Sequence, residues 1–342
     1  MSHKEMIYAP VLIPTLCRYE HFVRCIESLR RNTWAKYTDI YVAIDYPLKK
    51  EHWNGYNNIC KYLEQSFDEF SNFYIIKRPY NYGAAKNIIE LRKEIIKKYD
   101  SFIRTDDDCE FSPNFLEYMD KCLFKFKDDE SVYGITGYSY PIDWNISTDY
   151  TGFKNSLIFP MWGTGFWKDK YLKMENDIKN GYIKEHFYIN KNIRKKMSDA
   201  RYVDCLIGIY SYQENNLLYN FSDVSCGCYI QLANKKIITP MVSKVRNYGF
   251  DGSGEYCQNT YNNKKNDDAE NYDYRRQEID QNKYFNIAIA QNYDFKTNMQ
   301  LMNKFDKRSK KQMIIAHIKY YMKLIISKIF SERMLYRIYG KK

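Results

Sequence analysis

Three consecutive carboxylates are the part of this sequence best suited to chemistry. Asp106, Asp107 and Asp108 follow a short apolar run, and Pro113 closes the segment. Like charges at the end of a strand repel one another unless a cation neutralises them. Carboxylate oxygens suit Mg²⁺ or Mn²⁺, which take their remaining ligands from water and substrate phosphates. The alternative is an acidic turn ahead of a helix, whose N-terminus favours negative charge.

Short apolar runs and amphipathic stretches alternate over the first 135 residues. The pattern predicts strands at 11–14, 40–44, 73–76 and 102–104, and helices at 19–31, 51–67, 84–99 and 113–126. Strands separated by helices predict a parallel, doubly wound α/β sheet, which binds ligands beyond the carboxyl ends of its strands. Thr15–Arg18, Asp45 and the three aspartates each follow a different strand. We therefore expect them to face one crevice.

The positive charge of the chain is concentrated at its C-terminal end. The net charge is +11 over 342 residues, of which 44% are hydrophobic. Residues 304–342 carry twelve Lys or Arg against two acidic residues, so the rest of the chain is close to neutral at about +1. This distribution predicts a basic tail on a near-neutral body and argues against a nucleic-acid-binding groove.

The basic tail also has helical periodicity. Its apolar residues fall on one side of a helical wheel, at Ile314, Ile315, Ile318, Tyr321, Met322, Ile325, Ile326 and Ile329. A basic amphipathic helix of this kind can lie in the interface of an anionic membrane. The alternative is a helix that packs on the protein's own core with its lysines in solvent.

Cysteine usage and hydropathy predict a cytoplasmic protein, held peripherally on the inner face of the cell membrane by its tail. The nine cysteines are scattered and form no CxxC pair, which favours a reduced compartment over a disulfide scaffold or a zinc site. No secretory signal is visible, and no stretch of 18 uninterrupted apolar residues occurs.

Several motifs occur in an order that resembles one known family. A strand with Pro-Thr-x-x-Arg precedes a strand ending in Asp45, then an Asn-x-Gly segment, then Thr-Asp-Asp-Asp-Cys-Glu-Phe-Ser-Pro-Asn-Phe. This order resembles nucleotide-sugar glycosyltransferases of the GT-A fold, with a doubly wound mixed sheet. More narrowly, it is similar to bacterial surface-polysaccharide enzymes related to the N-acetylglucosaminyltransferase that initiates complex N-glycans. The resemblance covers about residues 8–258.

The resemblance implies a role for each donor-side residue. Asp108 would be the direct protein ligand of Mn²⁺ or Mg²⁺, and Asp106 and Asp107 would contact ribose or sugar hydroxyls. Asp45 would hydrogen-bond the nucleobase, and Arg18 would lie near the diphosphate, where a further cation could assist it. The remaining donor-side residues of the motifs are Pro14, Thr15, Asn81, Gly83 and Lys86.

An inverting transferase also needs a carboxylate that takes the proton of the acceptor hydroxyl. The family places this base after a Trp, and the matching residue here is Asp223, although Ser222 replaces the Trp. Asp204 is the second candidate, and either one could instead be a helix-start aspartate.

Two further segments resemble substrate-binding loops of the same family. Asp251 lies in an Asn-x-Gly-x-Asp-Gly segment, which some relatives follow with a histidine and this chain follows with Glu255, Tyr256 and Cys257. Trp162 and Gly163 resemble the loop under the donor or acceptor sugar, although aromatic residues such as Trp162 are more often part of a core.

The predicted organisation has three parts. Residues 1–258 form a glycosyltransferase domain, with a nucleotide-sugar half at about 8–135 and an acceptor half at about 136–258. Residues 259–303, rich in Asn, Asp, Lys and Tyr, are predicted to be a linker or insertion. Residues 304–342 are the basic amphipathic helix.

The expected function is a metal-dependent glycosyltransferase, hexosyl or N-acetylhexosaminyl in type. It would use a nucleotide-diphosphate sugar, UDP-linked by preference, and a lipid-linked saccharide acceptor in capsule or O-antigen synthesis. The alternatives are a sugar-phosphate nucleotidyltransferase, which the absence of a Gly-rich phosphate loop at Thr15–Arg18 opposes, and a nucleic-acid-binding protein that relies on the tail. The absence of GxxxxGK[ST] and GxGxxG motifs likewise opposes P-loop and dinucleotide enzymes.

Overall fold

The fold is taken from a computed structural model that describes residues 6, 8–156, 160–189, 223–254 and 278–291, with the single positions 315, 318, 322 and 325. The chain divides into two compact units. The first contains Met1–Lys154, Pro160–Lys170 and Ile237–Asn292. The second contains Asn155–Phe159, Tyr171–Lys236 and Tyr293–Lys342.

Eleven strands are formed in the described residues. They are β1 Val11–Thr15, β2 Asp39–Ile44, β3 Asn72–Lys77, β4 Ser101–Arg104, β5 Cys109–Phe111, β6 Val132–Thr136, β7 Gly152–Asn155, β8 Thr164–Trp167, β9 Lys236–Pro240, β10 Val245–Asn247 and β11 Ile289–Ala290. Nine of them form one sheet in the order β11-β7-β9-β6-β8-β4-β1-β2-β3, and β10 and β5 form a separate two-stranded ribbon.

The large sheet is mixed, which confirms the predicted α/β class with a mixed sheet. Strands β3, β2, β1 and β4 run parallel to one another, and β8 pairs antiparallel with both β4 and β6. Strands β1 and β2 are largely apolar runs, VLIPT and DIYVAI, as expected for strands covered on both faces. Their carboxyl ends meet at one edge of the sheet.

Seven α-helices accompany the strands in the described residues. They are α1 Tyr19–Arg30, α2 His52–Tyr62, α3 Ala84–Ile95, α4 Phe115–Phe126, α5 Lys168–Lys179, α6 Tyr182–Ile189 and α7 Asp223–Leu232. The four helices predicted in the first 135 residues are present. The helix predicted at 51–67 ends early at Tyr62, because the following turns direct Phe67 and Phe70 into the hydrophobic core.

Residues 278–291, part of the segment predicted to be a linker or insertion, belong to the first unit. Asp280 forms a buried ion pair with Lys244, and the Phe285 N–H donates to Glu117 Oε2 at 3.1 Å. Strand β11 pairs in parallel with β7 at the edge of the sheet. The polar composition that suggested a linker thus includes residues whose polar groups are satisfied by buried partners.

The predicted basic helix at 304–342 lies outside the described residues except at four positions. Ile315, Ile318, Met322 and Ile325 are each helical, and between 42% and 57% of each side chain is exposed. Among the residues that the structure describes, no helix combines the length and the hydropathy needed to cross a bilayer.

Candidate active site

The candidate site lies at the carboxyl ends of β1, β2 and β4 in the first unit. The backbone connects these ends directly, because the Asp45 N–H donates to the Thr15 carbonyl at 2.8 Å and the Thr105 N–H donates to the Leu12 carbonyl at 3.2 Å. The Thr15 hydroxyl then donates to Asp107 Oδ2 at 2.8 Å. Polar residues that are distant in sequence therefore meet at one edge of the sheet.

Arg18 neutralises two of the three aspartates. Its Nη2 pairs with Asp107 Oδ1, and its Nη1 lies 2.8 Å from Asp108 Oδ2. The residue comes just before α1, so the loop after β1 delivers the guanidinium to the end of β4. Charge-assisted pairs of this kind are stronger than neutral hydrogen bonds. The guanidinium thus holds Asp107 and Asp108 side by side despite their like charges.

The ribbon of β5 and β10 encloses Asp108 from the other side. Asn247 is paired with Cys109 in the ribbon, and its Nδ2 donates to Asp108 Oδ1 at 3.0 Å. The Tyr248 N–H donates to the Asp108 carbonyl at 2.8 Å. A Cβ atom on Gly249 would lie only 2.0 Å from Asp108 Oδ2. The backbone at this position therefore approaches the carboxylate so closely that only glycine fits.

Burial makes the charge on Asp108 costly. The residue is only 8% exposed, and burial raises the pKa of its carboxyl to about 7, with Arg18 acting against the shift and Asp106 and Asp107 adding to it. Asp106 is more accessible, with 35% of its side chain exposed and the nearest guanidinium nitrogen, on Arg104, 4.0 Å away. The buried site therefore disfavours a third negative charge beyond the two that Arg18 and Arg104 can offset, unless a further cation is present.

This donor set fits a divalent cation that is shared with a substrate. In the described part of the chain, no three His, Cys, Asp or Glu side chains converge as a complete metal cage. Asp108 and the more exposed Asp106 nevertheless offer hard oxygen atoms, and a bound cation would favour their ionised forms. A cation such as Mg²⁺ commonly binds through one or two carboxylates and completes its shell with water and phosphate oxygens.

Asp45 organises the loop ahead of α3. Its Oδ1 accepts the N–H groups of Tyr46 at 2.9 Å and Tyr82 at 2.7 Å, and its Oδ2 accepts the N–H of Gly83 at 2.8 Å. Asn81 Nδ2 donates to the Tyr46 carbonyl at 2.6 Å. Asp45 is 3% exposed, so holding this loop is its observed role, and its contact with a nucleobase stays a prediction.

Lys86 and Pro14 occupy the flanks of this edge. Lys86 lies in the first turn of α3, with its Nζ 4.5 Å from the ring centroid of Tyr82 and 5.4 Å from that of Tyr80. Pro14 is inside β1, where it pairs with Ala43. Among the described residues, no hydrogen bond or ion pair joins either of them to the three aspartates.

Asp251 joins the loop after β10 to the start of α1. Its Oδ2 accepts a hydrogen bond from His21 Nε2 at 2.8 Å, and Oδ1 accepts the Ser253 N–H at 2.9 Å and hydroxyl at 2.6 Å. Although burial acts to raise it, these bonds hold the pKa of Asp251 at about 2. The sequence has no histidine directly after Asp251, but α1 supplies one, three residues after Arg18.

Trp162 and Gly163 pack beside the same loop. The Trp162 ring contacts Tyr138 and Phe250 edge to face, at centroid distances of 5.1 and 5.8 Å. Gly163 has a φ of +58°, and a Cβ there would lie 2.9 Å from the Phe115 ring. Gly163 therefore has a packing role, while sugar stacking on Trp162 stays a prediction.

The structure does not test the two candidate bases. Asp223 is the first residue of α7 and belongs to the second unit. That position matches the helix-start alternative, and a catalytic role stays a prediction. Asp204 lies outside the described residues.

Sequence reasoning assigned no role to Asn247, Gly249, His21 or Arg104. Asn247 and Gly249 belong to the Asn-x-Gly-x-Asp-Gly segment that contains Asp251, so the sequence could have identified them as candidate site residues. Their contact with Asp108 could not be predicted, because Asn247 and Asp108 are 139 positions apart. His21 could have been suspected from its position one helical turn after Arg18.

Comparisons with known proteins leave the family open. The sequence matches no protein-family model and no curated protein. Similar solved structures include S. aureus TarS, with 10% identity over 50% of this chain and 30% of that chain and a TM-score of 0.34. TarS 1–349 has 14% identity over half of each chain and a TM-score of 0.34. The aligned part is less than two thirds of the length of either TarS chain.

A third similar structure is the mannosyltransferase PcManGT from Pyrobaculum calidifontis in complex with GDP-Man and Mn²⁺. It shares 10% identity over 66% of this chain and 70% of that chain, with a TM-score of 0.38. Likenesses at this level support no functional conclusion. The chain itself has a mixed α/β fold, with a cluster of carboxylates and arginines at the carboxyl ends of its parallel strands.

Proposed function

We propose that this chain is a metal-dependent glycosyltransferase of the GT-A type that uses a nucleotide-diphosphate sugar. The observation that carries the proposal is the clamp of Arg18 on Asp107 and Asp108, with the Gly249 backbone pressed against the Asp108 carboxylate. The clamp lies at the edge where open α/β sheets bind their ligands. Its paired opposite charges suit a cation and an anionic diphosphate together.

The residues of the clamp have distinct roles in this proposal. Asp108, with Asp106 beside it, would hold Mn²⁺ or Mg²⁺. When bound, such a cation offsets the negative charge on the departing nucleotide diphosphate. Asn247 keeps the Asp108 carboxylate in place through its 3.0 Å hydrogen bond, and Thr15 does the same for Asp107 at 2.8 Å.

Arg18 changes partners when the donor binds. In the structure its guanidinium neutralises the buried carboxylates, with 20% of its side chain exposed. Because a guanidinium has five N–H donors in a planar fork, it can bind phosphate oxygens as well as carboxylates. A donor diphosphate therefore finds a cationic group already ordered at the end of β1. Lys86 adds positive charge on the α3 side of the edge.

Asp223 is proposed as the general base of an inverting transfer, with Asp204 as the alternative. The base takes the proton of the acceptor hydroxyl while its oxygen attacks the anomeric carbon from the face opposite the diphosphate. The sequence resemblance supports this choice. A UDP-linked hexose or N-acetylhexosamine as donor and a lipid-linked saccharide as acceptor, in capsule or O-antigen synthesis, complete the proposal.

A thermal-shift panel tests the donor site directly. UDP-, GDP-, dTDP- and CMP-sugars would each be added with and without Mn²⁺, and the melting temperature of the full chain would be recorded. A cognate nucleotide sugar at about 100 times its dissociation constant stabilises the folded protein by about 2.7 kcal/mol. We expect one nucleotide class to raise the melting temperature, and to do so only with the metal. A panel without any shift would contradict the proposed function.

Membrane attachment through the tail is a separate part of the proposal. It is supported by the net charge of about +10 over residues 304–342 and by the exposure of Ile315, Ile318, Met322 and Ile325. A basic segment gains about 1 kcal/mol for each Lys or Arg near an anionic surface.

Removal of residues 304–342 is therefore expected to release the protein from anionic membranes. Flotation with phosphatidylserine-containing vesicles would measure binding, and neutral vesicles would serve as the control. Hydrolysis of the donor sugar in solution should persist in the truncated protein, because the site lies in the first unit. Equal flotation of full-length and truncated protein would refute the membrane role. If the protein were instead a nucleic-acid binder that relies on the tail, the truncated protein would lose its nucleic-acid binding.

A further inference from the structure

Strand β3 ends the nine-stranded sheet. It pairs with β2 on one side, and no strand of the described residues pairs with its other side. The outer edge of such a strand carries backbone N–H and C=O groups that another strand can bind. Natural proteins usually block such edges with charges, prolines, bulges or short strand length.

Strand β3 has few of these blocking features. Its sequence NFYIIK contains no proline, and its register with β2 runs unbroken from Asp39 opposite Asn72 to Ile44 opposite Lys77. Lys77, at the end, is its one charged residue. Tyr74 and Ile75 point to opposite faces and are 40% and 39% exposed. Within the described residues, the strand therefore offers an open backbone edge with apolar side chains on both faces.

An open groove runs beside the strand on the Ile75 face. Its volume is about 320 Å³. Apolar and polar residues line it in equal number, namely Leu63, Phe67, Phe70, Phe73 and Ile75 together with Gln65, Ser66, Asp68, Ser71 and Asn72. Strand addition at a sheet edge commonly combines main-chain hydrogen bonds with pockets for alternate side chains of the incoming strand. The groove is such a pocket.

The side chains at this edge are already ordered. Phe73 stacks on Phe67 with ring centroids 4.0 Å apart, and Tyr74 stacks on Tyr41 at 4.4 Å. Side chains that are fixed before association lose little conformational entropy when they bind. The surface is thus prepared for a partner strand.

The sequence of β3 is complementary to itself. A two-fold axis perpendicular to a continuous sheet pairs residues that point to the same face, so it can pass next to Tyr74 or next to Ile75. With the axis at Tyr74, each Phe73 lies opposite Ile75 of the other copy, an aromatic and β-branched pair that stabilises sheets. Lys77 then lies opposite Ser71, away from its own copy. An axis at Ile75 would instead place Phe73 opposite Lys77.

We propose that β3 is the interface of a homodimer, in which two copies pair antiparallel about Tyr74. Their sheets become continuous, and the groove of each copy receives side chains from the other. The interface is isologous, so every contact occurs twice. This inference does not depend on the proposed enzymatic function.

Sedimentation velocity of the full chain tests the proposal, at concentrations from about 1 to 100 μM, a range that covers dissociation constants of moderate dimers. We expect a shift from monomer to dimer as the concentration rises. Ile75→Lys places two charges in the interface and should weaken the dimer at least about tenfold, because each substitution acts twice. Leu48→Lys is the matched control, since Leu48 is 69% exposed outside β3, and should leave the dimer intact.

A cysteine variant tests the register independently of affinity. In the proposed dimer the Cα atoms of the two copies of residue 74 lie about 4.5–5.5 Å apart, within the range of about 4.4–6.8 Å that disulfides span. Tyr74→Cys should therefore form a covalent dimer under mild oxidation, and Leu48→Cys should not. A monomer at all concentrations, or a dimer that Ile75→Lys does not weaken, would overturn the proposal.

Discussion

Asp108→Asn is expected to abolish the Mn²⁺-dependent part of the stabilisation by the cognate nucleotide sugar. The amide keeps the shape of the side chain but loses the negative charge that pairs with Arg18 at 2.8 Å and that would hold the cation. A shift of several degrees at saturating ligand should fall to the value seen without metal. Differential scanning fluorimetry with and without Mn²⁺ measures the effect.

The control for this variant is Asp68→Asn, the same chemical change at an exposed aspartate in the turn before β3. It should leave the metal-dependent shift unchanged. A second variant reaches Asp108 from the opposite side. Gly249→Ala would place a Cβ 2.0 Å from Asp108 Oδ2, so the loop or the carboxylate must move. It should lose the same metal-dependent shift, and retention of the shift in both variants would remove Asp108 from the site.

The order of strands and helices in the first 135 residues could be predicted because it is recorded locally. Runs such as VLIPT and DIYVAI are buried on both faces and leave an uninterrupted apolar signal in the sequence. The end of α2 could not be predicted equally well, since Phe67 continues the helical pattern in sequence but serves the core from a turn. Hydrophobic periodicity indicates which residues are buried, but a buried residue can belong to a helix or to a turn.

The internal contacts of the site were less accessible to sequence reasoning. The sequence placed Arg18 and the aspartates at neighbouring strand ends, because all parallel strands end at the same edge. The hydrogen bond from Asn247 to Asp108 depends on the antiparallel ribbon of β5 and β10, and the bond between His21 and Asp251 joins positions 230 residues apart. Such contacts arise from tertiary packing and leave no periodic signal.

Asp45 illustrates how a correct position can serve an unexpected purpose. The sequence placed it at the end of β2, where a carboxylate can face a ligand. In the structure its oxygens accept three backbone N–H groups that shape the turn at Tyr82 and Gly83. Because an unsatisfied N–H in such a turn would be costly, the carboxylate stabilises the entry to α3. Holding this loop is the role that the structure shows, and the contact of Asp45 with a nucleobase stays a prediction.

Asp223→Asn is expected to separate catalysis from binding. If Asp223 is the general base, replacing its carboxylate with an amide should slow sugar transfer by about 10² to 10⁴-fold. The metal-dependent thermal shift with the donor should stay at the wild-type value, because the proposed base acts on the acceptor hydroxyl and not on the donor diphosphate or the cation. The rate of transfer to a lipid-linked acceptor is measured from the release of the nucleoside diphosphate.

Asn is chosen because Asp223 is the first residue of α7, so the experiment must distinguish a structural role at the helix start from a catalytic role. Asn and Asp satisfy the N–H groups at a helix start almost equally well, so a purely structural aspartate would tolerate the change in both stability and rate. A wild-type transfer rate in Asp223→Asn, together with a slow Asp204→Asn, would assign the base to Asp204. Loss of donor binding in Asp223→Asn would instead show that the second unit helps to hold the donor, and the separation of roles would then be wrong.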